Sequence, residues 1–538
     1  MSSGIQVADV LIVGGGLGGI AAAQSAVALG RTAVITTEGP WLGGQLTTQA
    51  VPPDENQWIE TLASTTYARL RATIRGIYAE QYPVSPYGRR QRPFNPGLGN
   101  VSRITHEPRV AAVAIESVLS PSYATGRLTV LRHRTPIAVE REGRRIRSVT
   151  VRDTRTGNEL TIDAHVVIDA TELGDLLELA ALEFVTGAEA QHETGELHAL
   201  EVADPLDQQA VSWCFAIEHR PGEDHVIDRP ASYAHWRDTH DPRWPAPQLS
   251  WEDLEPPTLA RRHRAIFSGD PADAVAPDGR DFWHYRRVLG AANFDGSIPD
   301  VTLVNWPQID YWEQPLVGPG IGPAERAAAA VGARGLSESL LYWMQTEARR
   351  PDGGTGYPGL RLRPDVVGSE DGFALEPYIR EARRIRAVFT VTEEHIGCEM
   401  RDGRPVEQFA DSVGIGSYRI DLHPSTAGRT YVDIDCDPFQ IPLGALIPRD
   451  ADNLIPANKN IGTTHISNGA YRLHPVEWGI GEAAGVLAAT MLATGESAEG
   501  VRARHLEDVQ RTMLQRGVPI AWPRRVLDEH ALFLSAQR

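Results

Sequence analysis

Cysteine is nearly missing from the 538 residues: Cys214, Cys398 and Cys436 lie far apart, and no CxxC pair occurs. Iron–sulfur clusters, zinc ribbons and a disulfide framework are thereby excluded. The three thiols are expected to be buried, as suits a reducing cytoplasm. Net positive charge is lacking too. The formal charge of −18 repels phosphates, which argues against general nucleic-acid or anionic-membrane binding while leaving room for a local basic pocket. No run reads as long and apolar enough to span a bilayer, and no basic n-region opens the chain, so neither a membrane anchor nor a signal peptide is expected. A cytoplasmic location is the corresponding expectation. The GxSxG elbow of a serine hydrolase is absent. His235 and His240 form the nearest histidine pair without a third ligand, so no metal site is expected.

What is present is an ordinary globular composition, 42% hydrophobic and 23% charged, in a chain too long for one small core. The stretch DVLIVGGGLGGIAAAQSAVALGRTAVITTE, residues 9–38, organises the rest. Val10 to Val13 reads as a strand buried on both faces. Gly14, Gly16 and Gly19 follow in GxGxxG spacing where a helix must begin. Gly14 allows the tight turn, Gly16 lets backbone approach a pyrophosphate, and Gly19 lets helix pack on strand. An Ala-rich helix over 20–29 stops at Gly30, and a second apolar strand covers 32–36. Glu38 is placed to hold the ribose hydroxyls of an adenosine. By count the strand-ending position is Thr37, so either Glu38 swings in or Thr37 takes one hydroxyl contact; Glu38 is the preferred reading. This is a dinucleotide site.

Further along, Gly43 and Gly44 permit close backbone approach beside Gln45 and Thr47. A helix is expected over 58–75, a long Pro-, Gly- and Arg-rich loop over 76–105, and a second helix over 108–119. Short strands fill 127–168, with a turn at Thr156 and Gly157. The run VVID then closes on Ala170, Thr171, Glu172, Leu173, Gly174 and Asp175, a strand-end ligand site of an open α/β sheet. Residues 186–430 are enriched in Trp, Pro, His and Arg, a composition that suits a cap over a substrate pocket, though core packing explains most of the aromatics. Here Arg380, Arg383, Arg384 and Arg386 read either as the solvated face of a helix or as an anion or cofactor contact. GPGIGP at 318–323 reads as a turn. Strand character returns at 431; a short strand at 453–456, a polar loop over 462–475 and an Ala-rich helix over 481–491 follow. The start of that helix offers N–H groups to an anionic ligand edge. The tail reads as a helix and extension.

Three separated pieces now agree: DVLIVGGGLGGIAAA with WLGGQ, VVIDATELGDLLELA, and NLIPANKNIGTTHISNGAYRLHPVEWGIGEAAG. Together they resemble the FAD-dependent oxidoreductases with a glutathione-reductase-type FAD domain. The resemblance implies an α/β fold: a Rossmann-like FAD-binding domain assembled from discontinuous segments, plus an α+β substrate or cap domain. Residues 1–185, with a helical insertion over about 52–125, and 431–500 would build the FAD domain, 186–430 the cap, and 501–538 a helical tail. It implies FAD contacts at Gly14, Gly16, Gly19, Glu38, Gly43, Gly44 and Gln45, at Ile137 on the adenine side, and at Ala170 and Thr171. It extends them to Asn458, Arg472, Gly481, Glu482 and Ala483. The chain departs from the pattern at Glu172, where many members carry Gly, and near Asn458, where many carry Gly or Cys. With one fingerprint and no CxxC pair it is not a pyridine-nucleotide disulfide reductase, and it lacks the WxWxIP signature of flavin halogenases.

The polar stretch 463–477 is the best source of groups for flavin chemistry. His465 and His474 are candidate general acids or bases, with a structural hydrogen-bonding role equally open for each. Tyr471 and Asn468 are candidates to orient substrate, and Arg472 to hold an anion or a flavin oxygen. The expected activity is that of an FAD-dependent oxidase or dehydrogenase, moving two electrons as a hydride from a small polar substrate to flavin N5. The alternatives are a flavin monooxygenase fed by NAD(P)H or a partner reductase and, more remotely, a non-catalytic FAD-binding protein. The electron acceptor, oxygen or a partner, stays open.

Overall fold

The computed structural model describes residues 5–269, 273–275 and 281–537. A seven-stranded mixed sheet forms its centre. Strand β1 (Ile5–Val13) runs into helix α1 (Leu17–Ala28), and β2 (Ala33–Thr37) follows. Val10, Leu11, Ile12 and Val13 have no exposed surface, which is why β1 takes the middle of the sheet. It pairs in parallel with β2, Val10 opposite Ala33, and β2 pairs in parallel with β3 (Leu128–Arg132). The hairpin β4 (Arg134–Glu142) and β5 (Arg145–Asp153) leads into the long β6 (Glu159–Asp169), the other parallel neighbour of β1. The halves of β6 serve different partners. Residues 159–163 pair antiparallel with β5, whereas 167–169 pair in parallel with β7 (Leu454–Pro456).

Helix α2 (Thr65–Gln81) and α3 (Pro108–Ala124) lie beyond β2 in sequence and pack on one another. A short helix, Ile59–Leu62, precedes α2, so the helix expected over 58–75 is broken at Ala63; Ser64 caps the second piece by accepting the Tyr67 N–H. Helix α2 then continues into the segment expected to be loop, which also holds a short helix at Pro86–Arg90. The middle of the chain forms a four-stranded antiparallel sheet from Phe215–His219, Arg287–Leu289, Val301–Val304 and Leu360–Leu362, packed against α4 (Pro323–Thr346). Trp236, Trp251, Trp283 and Trp306 fill the core beneath it, so the tryptophan enrichment serves packing.

Two late segments differ from expectation. The stretch 462–475 is not a loop: Thr464 caps a helix, α5 (His465–Tyr471). Helix α6 (His474–Thr494) starts with Pro475 in its first turn, well before Gly481. By length and composition α6 is apolar enough to cross a membrane, against the expectation that no run is; 78% of its apolar window is buried inside the protein, mostly against α1. The arginine run is not a helix either. Its only regular piece in that stretch is the short strand Arg384–Ile385, and Arg380, Arg383 and Arg384 are 2%, 1% and 0% exposed. The solvated-face reading fails for those three, because each is drawn inside by carboxylates: Asp310 for Arg380, Asp175 and Glu178 for Arg383, Glu381 and Glu189 for Arg384. Arg386 alone is exposed. All three cysteines are buried, as expected.

Candidate functional site

The carboxyl ends of β1, β2 and β6 open on one cavity of about 710 Å³, where an open α/β sheet places its ligand. Gly14, Gly16, Glu38, Gly44, Ile137, Ala170 and Thr171 all line it. Gly14 sits at φ +110°, and a Cβ there would lie 2.0 Å from the Ala170 carbonyl oxygen. Gly16 has ordinary backbone angles; its need is for space, since a Cβ would face Glu477 Oε1 at 2.9 Å and Glu172 Oε1 at 3.2 Å. Glu38 is exposed at the mouth, while the Thr37 hydroxyl donates to the Trp41 carbonyl at 3.3 Å. The acid open to the cavity is therefore Glu38.

A dinucleotide fits these walls. Arg134 and the 135–137 edge of β4 flank the end nearest Glu38, and the fingerprint forms the middle. Thr48, Gln49 and Glu376 also line the cavity, with Glu376 beside Gly39. Both amide atoms of Gln49 are buried without a partner among the described residues, a polar group awaiting a ligand. Glu376 accepts the Thr48 hydroxyl at 2.7 Å, and burial pushes its carboxyl up to about 7.

Other expected contacts stand one layer back. Gly19 packs on the Gly14 carbonyl, and the Gly43 N–H donates to the Gly15 carbonyl at 2.7 Å, pinning the 43–46 turn against the fingerprint. Asn458 Nδ2 reaches the carbonyls of Ala170 and Thr171 at 3.4 Å. Gln45 donates to the Arg472 carbonyl at 3.1 Å and to Glu477. Gly481, Glu482 and Ala483 are not brought to the cavity. They lie inside α6, with Gly481 against the Gly18 backbone and Glu482 bonded by Thr66.

The start of α1 is met by Glu477, one turn into α6, which accepts the Gly18 N–H at 3.0 Å. Burial raises Glu477 above the usual carboxylate range. Glu172, at the departure from the family pattern, is paired with Lys459, the only lysine in the chain. That pair keeps an uncompensated carboxylate out of the middle of the cavity.

The four catalytic candidates separate. His474 is fully buried; its Nδ1 accepts the Asp54 N–H at 3.2 Å, which puts the ring proton on Nε2. Burial, reinforced by Arg286, holds His474 down at about 3, so it stays neutral and serves as a donor. This corrects the acid–base expectation for His474. His465 Nδ1 pairs with Glu381 at 2.9 Å, and against burial that carboxylate holds the ring above its ordinary value. Asn468 donates to the Arg380 carbonyl at 3.1 Å. The Tyr471 hydroxyl donates to the Gln440 carbonyl at 2.6 Å, and its ring stacks on Phe439 in the core, which leaves it no free group for substrate.

A second polar cluster escaped the sequence. Arg472 NH1 donates to the Tyr378 hydroxyl at 2.7 Å, and its NH2 to the Asp421 carbonyl at 2.9 Å. Arg286 NH1 lies 3.5 Å from Asp54 Oδ2. Pro377 and Ile379, on either side of Tyr378, line the cofactor cavity, so the cluster adjoins it. The residues come from distant segments, and of them only Arg472 stood out in the sequence.

The crevice and fingerprint define a dinucleotide-binding α/β protein. A family model described as FAD dependent oxidoreductase matches residues 9–513, and the chain belongs to that family; its cofactor is FAD. No curated protein matches it in sequence. Among solved structures it is similar to the myxobacterial chondrochloren halogenase CndH, at 12% identity and TM-score 0.33 over 94% of this chain and 79% of that one. It is also similar to a geranylgeranyl bacteriochlorophyll reductase-like protein from Thermoplasma acidophilum, at 11% identity and TM-score 0.34 over 95% and 86%.

Proposed function

We propose that this oxidoreductase is an FAD-dependent oxidase or dehydrogenase acting on a small polar organic substrate, with a glutathione-reductase-type FAD domain and the inserted middle segment as its cap. The observation that carries the reading is one segment of chain. Gly44, Thr48 and Gln49 line the cofactor cavity, and a few residues on Asp54 enters the buried cluster of Arg286, Arg472 and His474. The cofactor cavity and the buried polar cluster are thus joined by a short stretch of chain.

Bound FAD supplies a two-electron acceptor for hydride. The fingerprint glycines and Glu38 would hold its pyrophosphate and ribose, and Ile137 the adenine side. The chain's own contribution is a buried polar cluster: Asp54, Arg286, Arg472 and His474 are each less than a tenth exposed. His474 presents the proton on Nε2 as a neutral donor. Burial pushes the Asp54 carboxyl up against the pull of Arg286 and Arg472, which favours the neutral acid beside the two arginines.

Anaerobic titration of the FAD-loaded protein with candidate metabolites, followed by visible absorbance, tests this. Bleaching by an organic substrate alone is expected. Bleaching only by NAD(P)H or a partner reductase would transfer the protein to the monooxygenase reading.

A further inference from the structure

The buried cluster beside the cofactor cavity holds more hydrogen-bond donors than its own acceptors satisfy. Arg286 is 8% exposed, yet its Nε and NH1 have no hydrogen-bond acceptor among the described residues, and its NH2 has only the Tyr285 hydroxyl at 3.5 Å. A guanidinium offers five donors and does not deprotonate in a protein, so burying it with one long bond is costly. Among the described residues Arg472, 3% exposed, has no partner for Nε, and His474 has no side-chain partner for Nε2. Asp54 ties the three together, through its N–H to His474 and its carboxylate toward Arg286.

We infer that Arg286, with Arg472 and His474, receives the carboxylate of an organic-acid substrate. The inference rests on the FAD reading above and names the substrate class of that site.

The charges point to a monoanion. Asp421 lies 3.2 Å from Arg472 and, against burial, is held well below the ordinary carboxylate range by His423 and Arg472, so it stays ionised and matches Arg472. Asp54 is a distant counter-ion for Arg286: the two stand 3.5 Å apart, and burial favours the protonated acid. One cationic charge is left. A carboxylate brings one negative charge and two oxygens at the spacing of a guanidinium edge. A phosphate dianion would overshoot the charge. Tyr378, bonded to Arg472 and flanked by cavity-lining residues, places this receptor beside the cofactor cavity.

The test uses acetate and benzoate against acetamide and benzamide, with inorganic phosphate as a third class. Binding is followed by the flavin spectrum of the FAD-loaded protein and by thermal unfolding of the cofactor-free protein. The acids are expected to shift both saturably while the amides shift neither. Arg286→Gln should remain yellow and bind the acids about tenfold or more weakly, as loss of a charge-assisted bond predicts. Arg286→Lys, which restores the charge without the fork, should fall between. Equal response to acids and amides, preference for phosphate, or undiminished acid binding by a yellow Arg286→Gln would overturn the inference. A wild-type protein that takes up no FAD would instead strike the FAD reading, while the unfolding arm still reports on the carboxylate receptor.

Discussion

Glu381 holds two cations at once, Arg384 NH1 at 2.6 Å and His465 Nδ1 at 2.9 Å, with all three side chains buried. Against burial, His465 and then Arg384 pull Glu381 from 4.5 down to about 2, while Glu381 lifts His465 above 6.5. The depressed acid contributes stability above about 4.5 and loses it as pH falls toward 2. The raised histidine contributes fully below 6.5 and loses its part as pH rises through its folded value. His465→Gln should therefore destabilise by about 1.5–3 kcal/mol. The gap from wild type should be widest between about pH 4.5 and 6.5 and narrow on both sides. Urea unfolding across pH checks it; a gap flat with pH would show that the pair is not ionised.

At the level of elements, the contact between α1 and α6 sets the geometry of the cavity floor. A Cβ on Gly481 would lie 2.1 Å from the Gly18 carbonyl oxygen, a backbone atom that cannot step aside. Gly481→Ala should cost about 1–3 kcal/mol by forcing the helices apart, and should weaken FAD retention because Gly18 belongs to the fingerprint turn. Chemical denaturation and flavin content measure the two effects; an unchanged midpoint would contradict the packing. Sequence periodicity located α6 but not its start. Pro475 was the available signal, but the helix was expected only from Gly481, whose close partner on α1, Gly18, is remote in sequence. The arginine run shows the same limit. Arg383 bonds the Leu173 carbonyl 210 residues away, and no local pattern distinguishes such an arginine from a solvated one.

Over the whole molecule, the part legible in the sequence is the part encoded locally. Residues 9–38 hold strand, turn, helix, strand and acid in chain order, and the cavity is built on them as expected. The polar cluster is different. Asp54, Arg286 and Arg472 come from three distant segments, so the spacing of residues could not announce it. The whole account depends on a dinucleotide filling the crevice along the sheet. The direct measurement is flavin content after incubation with excess FAD and removal of the unbound fraction, for wild type and Gly16→Val. Wild type should hold close to one FAD per chain, as one fingerprint holds one dinucleotide. Gly16→Val, whose Cβ would face the movable ends of Glu477 and Glu172, should keep its circular dichroism and lose the yellow cofactor. A colourless wild type, or a folded Gly16→Val that holds FAD as well as wild type, would contradict it.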